Sequence, residues 1–245
     1  MRVRFVIAYD GTEYCGWQVQ PNGITVQEVL NRSLSEFFGQ DISTIGASRT
    51  DAGVHALGNV AVADIDTRMP AEKIALAINQ SLPEDIVIQS TDEVPSDFHP
   101  RFSKSAKTYE YAIQNRQVPL PTLSRYTYFY HHNLDEERMR QGAAALIGEH
   151  DFTSFASIHS QTNSFVRTVY DIDIRRDEWD VVRMRIRGNG FLYNMVRIIA
   201  GTLIHVGSGL LEPEDVGRIL MARDREQAGP TAPASGLTLV GIEYD

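Results

Sequence analysis

The hydrophobic period of this chain switches between two and about 3.6 several times, which restricts its fold more than any single residue does. Val3, Phe5 and Ile7 alternate with Arg4, Val6 and Ala8, so the opening segment reads as a strand with one buried face. Thr25 and Glu28 make a capping box for a helix whose Val26, Val29, Leu30, Leu34, Phe37 and Phe38 share a face, and Gly39 stops it. Strands are expected at 43–48 and 59–65. Pro70 opens a second helix through Ile74, Ala77 and Ile78, and 86–89 reads as a strand. The order is β-α-β-β-α-β.

The second half repeats it. A strand at 108–114 precedes a helix over 135–147 that Gly148 ends. Strands at 168–175 and 179–187, a helix over about 191–206, an extra helix from Pro213 and a final strand at 237–244 complete the round. The predicted fold class is therefore α+β, with two ferredoxin-like (RRM-like) βαββαβ domains, residues 1–104 and 105–245, and largely antiparallel sheets. Loops are expected over 115–125 and 154–165.

Composition narrows the function classes. A chain of 245 residues with 42% hydrophobic content can bury a sizeable core. No apolar run approaches the length that spans a bilayer, and no signal-peptide segment precedes the first strand, so a cytoplasmic protein without a membrane partner is expected. One cysteine, Cys15, excludes an internal disulfide. The net charge of −9 speaks against simple nucleic-acid binding, but its distribution does not. Residues 181–211 hold four arginines and no acid, and 98–109 hold Arg101, Lys104 and Lys107, again with no acid. A basic face on an acidic body would steer RNA to one side.

Chemistry concentrates in Arg49-Thr50-Asp51-Ala52-Gly53-Val54-His55, a turn between two predicted strands. Thr50 and Asp51 can bond their own backbone, Gly53 permits a left-handed conformation, and Arg49 favours an ionised carboxylate. A fixed aspartate there suits a nucleophile or general base. Arg183, Arg185 and Arg187 alternate along one strand, and an anion such as a phosphate backbone would relieve their repulsion. Arg197 lies on a largely apolar helix and needs an anion if buried. Tyr109 and Tyr111 share one strand face. His55, His99, His131 and His132 lack metal-ligand spacing, and residues 11–16 lack the ending of a phosphate-binding loop, so neither metal nor cofactor is expected.

The Arg49–His55 segment resembles the catalytic loop of the tRNA pseudouridine synthase A family, which modifies uridines 38, 39 and 40 of the anticodon stem-loop. Tyr9-Asp10-Gly11-Thr12 with Gly16-Trp17-Gln18 is similar to the family's opening motif. Phe98-His99-Pro100-Arg101-Phe102 with Lys107-Thr108-Tyr109-Glu110-Tyr111 resembles its second motif. Phe191 to Arg197 with Gly201-Thr202-Leu203 resembles its third, and Ala232-Pro233-Ala234 with Gly236-Leu237 and Tyr244 its C-terminal signature. The resemblance implies an isomerase that needs no cofactor and works as a homodimer on tRNA. It implies Asp51 as nucleophile, on base or sugar or by a glycal route, Arg197 holding Asp51 ionised, and Tyr109 against the target base. Arg49, His55, Arg101, Arg167, Arg183, Arg185 and Arg187 would then bind RNA, with His55 also positioning the loop. Two positions depart from the family: Ser48 stands where glycine is usual and Ser235 where histidine is common. The alternative reading, a non-catalytic tandem RRM-like RNA-binding protein, lacks the aromatic RNP pattern it would need.

Overall fold

The computed structural model describes residues 1–158 and 162–245. They divide into two compact units, one of Met1–Ser105 with Leu239–Asp245 and one of Ala106–Thr238.

In the first unit, β1 (Arg2–Tyr9) buries Val3, Phe5, Ile7 and Tyr9 and leaves the alternate residues half-buried, as its period of two requires. The helix α1 (Val26–Phe38) starts at Thr25, whose hydroxyl accepts the Glu28 amide at 3.3 Å, and ends at Gly39 with φ +65. Phe37 falls outside its buried face and is 44% exposed. The strand foreseen at 43–48 shrinks to β2 (Ile45–Gly46), followed by β3 (His55–Asp64), α2 (Ala71–Ile78) and β4 (Ile86–Val94). The pairings among β1 to β4 are antiparallel: β1 lies between β4 and β3, and β2 pairs with the far side of β3. Phe5, Ile7, Trp17, Leu30, Leu34, Ile74 and Ile78 fill the core at under 2% exposure. Each such side chain contributes on the order of 2 kcal/mol.

In the second unit, β5 (Ser105–Gln114) carries on its outer edge the two-residue parallel strand β6 (Tyr128–Phe129). The helix α3 (Glu136–Ala144) is capped by Asp135, which accepts the amides of Glu137 and Arg138. It stops short of the expected 147. Gly148, read as its terminator, instead opens β7 (Gly148–Asp151) at φ +114. Next come β8 (Val166–Arg176), β9 (Val181–Gly188), α4 (Met195–Gly207) and α5 (Asp215–Ala222). β9 starts two residues late because Asp177–Asp180 is a tight turn: the Asp180 amide donates to Asp177 O at 3.2 Å, and Asp180 has φ 57. The sheet order is β5-β9-β8-β7, antiparallel throughout, with α3 packed on α4 and β8. The expected loop 154–165 opens on a 3-10 turn (Thr153–Phe155), and its residues 159–161 lie outside those described.

The last strand, β10 (Leu237–Tyr244), was placed by sequence in the second domain. From Leu239 onward it belongs to the first unit, beside β3. The class is mixed α and β with a largely antiparallel sheet, and among the described residues no helix is long and apolar enough to cross a membrane.

Candidate active-site residues

The Asp51 loop joins β2 to β3 and is held by main-chain and side-chain bonds from three directions. The Val54 amide donates to Asp51 O at 3.1 Å, closing the turn, and Gly53 takes φ +75. The Gly53 amide reaches Tyr14 O at 3.3 Å, and the Trp17 amide reaches Thr50 O at 3.0 Å. The Thr50 hydroxyl, expected on its own backbone, lies 2.7 Å from Tyr9 OH. Asn59 Nδ2 in turn donates to Tyr9 OH and to Ser48 O, at 3.2 and 3.0 Å. Asp51 is half-buried between the buried Thr50 and Val54.

Two glycines of the opening segment explain why that segment can press so closely. A Cβ on Gly11 would stand 2.0 Å from Val54 O, and one on Gly16, whose φ is +85, 2.6 Å from Thr50 O. Only glycine permits both the close approach and the positive φ. The Tyr9–Trp17 segment is therefore the frame of the Asp51 loop. Sequence reasoning found the segment as a motif but assigned it no task.

His55, grouped by sequence with RNA-binding residues, is 3% exposed. Its Nδ1 lies 3.1 Å from the Gly11 amide, which donates to it, and 3.1 Å from Asp10 Oδ1. The ring is thus enclosed between the loop and the opening segment. Arg49 and Arg101 are exposed and close enough to feel one another: partial desolvation and the charge of Arg49 together hold the Arg101 guanidinium below its ordinary pKa.

In the second unit, Tyr109 is 8% exposed and meets Phe191 edge to face, with ring centroids 5.3 Å apart. Tyr111 is fully buried, its hydroxyl donates to Pro233 O at 2.8 Å, and burial pushes its pKa up against the opposing charge of Arg197. Arg197 stands in the first turn of α4. Its Nε donates to Ala232 O at 2.7 Å and its Nη1 to Asn194 Oδ1 at 3.0 Å, so the plane of the guanidinium is fixed.

The chain around 229–233 supports this orientation. The Ala232 amide donates to Arg197 O, and the Gly229 amide to Thr202 Oγ1. A Cβ on Gly201 would lie 1.8 Å from Pro230 O, so Gly201 lets that segment lie against α4. Ser235, one of the two departures, directs its hydroxyl to Thr127 O at 3.4 Å.

The arginine face looks different once its neighbours are known. Arg183 pairs with Glu110 at 2.8 Å and Asp177 at 2.9 Å, on β5 and in the β8–β9 turn respectively. Arg185 lies 3.8 Å from Glu110, and Arg187 stands over the Tyr170 ring at 5.4 Å. Asp173 and Asp171 sit opposite Arg185 and Arg187 in the β8–β9 register. The repulsion predicted from the strand alone is answered inside the unit, by acids that neighbouring strands supply. Arg167 gives Nη1 to the carbonyls of Ser164 and Val166, and burial lowers its pKa. Among the described residues no three or more His, Cys, Asp or Glu side chains converge as metal ligands would.

Comparison with known proteins identifies the family. The family model described as tRNA pseudouridine synthase matches residues 5–103 and 143–245. A protein of Thermoanaerobacter sp. (strain X514) named tRNA pseudouridine synthase A is 47% identical over 242 residues, covering 99% of both chains. Proteins of the same name from Acetivibrio thermocellus and Brevibacillus brevis are 45% and 46% identical, again over 99% of both chains. The chain belongs to the tRNA pseudouridine synthase family.

Proposed function

We propose that this protein isomerises uridine to pseudouridine in tRNA, at positions 38, 39 and 40 of the anticodon stem-loop, with Asp51 as the nucleophile. The observation that carries the activity is family membership along nearly the whole chain. The half-buried aspartate in a loop braced by Tyr9, Gly11 and Gly16 supports the assignment to Asp51.

The reaction is internally balanced. The N1–C1′ bond breaks, the detached base turns, and a C5–C1′ bond forms; C5 loses its proton and N1 gains one. No electrons leave the substrate, so no redox partner is required. A carboxylate such as Asp51 supplies the transient covalent partner that divides this exchange into easier steps. Arg197, with its plane fixed by Ala232 O and Asn194 Oδ1, is suited to orient a carboxylate through its remaining donors. Tyr109, held edge-on by Phe191, offers a flat ring to the base and a hydroxyl for the C5 proton.

Arg49, Arg101, Arg167, Arg185 and Arg187 are proposed to meet the RNA backbone. Arg183 is left out because Glu110 and Asp177 already engage it. Each unit is proposed to be a ferredoxin-like domain, which the antiparallel order β4-β1-β3, with β2 beyond β3, supports in the first. A cytoplasmic homodimer completes the reading.

The test uses unmodified tRNA with uridines at 38, 39 and 40. After incubation, carbodiimide adducts are mapped by reverse transcription. Stops at those positions are expected. A tRNA without any stop would overturn the activity, and stops only elsewhere would overturn the positions.

A further inference from the structure

A turn in the first unit holds an exposed aromatic ring next in sequence to Arg101, a cation that feels the charge of Arg49 and that no acid pairs with among the described residues. Its base is anchored: Phe98 meets Tyr244 edge to face at 5.0 Å, Arg4 lies 5.9 Å over the Phe98 ring, and Tyr244 OH donates to Pro100 O at 2.8 Å. Its tip is equally fixed. The amides of Phe102 and Ser103 donate to His99 O at 3.1 and 2.9 Å, and the Arg101 amide donates to His99 Nδ1 at 3.2 Å. These bonds set the imidazole so that the Phe102 ring stacks on it, centroids 4.2 Å apart and planes 25° apart.

Despite that backing, Phe102 is 83% exposed, more than any other large apolar side chain among the described residues. A lone exposed phenylalanine is ordinary, so its neighbours decide the matter. Arg2, Arg4 and Lys104 are paired with Asp64, Asp92 and Asp245. Among the described residues no acid pairs with Arg49 or Arg101, and Arg101 feels the charge of Arg49. On a chain of net charge −9 this is a local cationic patch on a body that repels acidic partners and copies of itself. A rigid exposed ring on the same turn as Arg101, with Arg49 close enough to act on that arginine, matches an unpaired nucleotide, base on ring and phosphate on arginine.

We propose that Phe102, backed by His99, is a stacking shelf for an unpaired base of the RNA substrate, with Arg49 and Arg101 holding the adjoining phosphates. The proposal rests on the tRNA reading above and adds to it where a neighbouring nucleotide is gripped. Arg49 lies two residues from Asp51, so the gripped base adjoins the target uridine.

The test uses the full chain and anticodon stem-loop RNAs carrying 2-aminopurine at one loop position at a time. Wild type should quench the probe at one position. Phe102→Leu should lose that quench and weaken binding by about 5- to 150-fold, the equivalent of one base–aromatic stack, whereas Phe102→Trp should keep both. Unchanged affinity and quench in Phe102→Leu would overturn the shelf. So would a changed oligomeric state at constant RNA affinity, which would give the ring to a second copy of the chain. Pseudouridine formation by wild type is scored on the same RNAs. Turnover without a position-specific quench sinks the shelf alone; quench without turnover sinks the proposed activity and leaves the shelf standing.

Discussion

Replacing Gly11 with alanine moves one wall of the Asp51 loop without altering a side chain inside it. The new Cβ would lie 2.0 Å from Val54 O and 2.7 Å from Val54 C, whereas ordinary contact begins at 3.4 Å. Both obstacles are backbone, so the Val54 carbonyl must retreat by about 1.4 Å in a close-packed region. The Val54 amide is bonded to Asp51 O at 3.1 Å, and the displacement therefore passes to Asp51. A misplacement of about 1 Å at a reacting group costs roughly 100-fold in rate. Overpacking of this kind costs about 1–3 kcal/mol of stability. Single-turnover pseudouridine formation by Gly11→Ala should fall about 100-fold while thermal unfolding stays cooperative. Gly39→Ala is the control: Gly39 has φ +65 with nothing within 4 Å of its Cβ position, so alanine there costs about 1–2 kcal/mol of left-handed strain far from the loop chemistry. Its rate should match wild type. Wild-type turnover by Gly11→Ala, or equal losses in both variants, would refute the argument that loop geometry governs the rate.

Arg197→Lys should lose nearly as much activity as Arg197→Ala, within about threefold, because one ammonium cannot serve Ala232 O, Asn194 Oδ1 and a substrate-side carboxylate in one plane; single-turnover rates near wild type in the lysine variant would leave only a charge role. Arg185→Ala should lower the log–log salt dependence of tRNA binding by about 0.7–0.9, whereas Arg183→Ala should leave it unchanged, since Glu110 and Asp177 are its anions. Equal drops would mean that RNA takes Arg183 from those acids. Asp177→Ala should destabilise the protein by about 2 kcal/mol at neutral pH, since the carboxylate accepts from Trp179 N, Val181 N and Arg183 Nε. Although partial burial pushes this carboxyl up, those partners hold its pKa below the ordinary value. A depressed folded pKa stabilises above the unfolded pKa and loses that contribution as pH falls through the folded value. The gap between variant and wild type in chemical denaturation should close there, and a gap independent of pH would show that Asp177 acts by packing alone.

Most elements were legible because their signals are local. The Thr25–Glu28 cap, the Gly39 stop and the period-two burial of β1 are each set within a few residues. The two-residue β6 and the four-residue β7 are too short to show a period, and Gly148 signals a turn equally well after a helix or before a strand. At the candidate site, Asp51 stood out because turn chemistry and a carboxylate coincide in seven residues. Its frame did not, because the contacts of Gly11 with Val54 and of Gly16 with Thr50 span more than thirty residues of chain. The partners of Arg183 were hidden for the same reason: Glu110 and Asp177 lie on other segments. His55 sits in a polar turn by sequence, yet β3 turns it inward onto Gly11 and Asp10.

The central claim, that Asp51 drives isomerisation of uridine in tRNA, is tested most directly by tritium release from tRNA labelled at C5 of uridine. Every pseudouridine formed must free one C5 hydrogen, so release counts turnovers without reference to the route taken. Wild type should release tritium in step with pseudouridine, and Asp51→Asn, which keeps the side-chain shape but lacks the nucleophilic carboxylate, should release none while melting like wild type. Release by Asp51→Asn above about a hundredth of the wild-type rate, or none from wild type, would contradict the account.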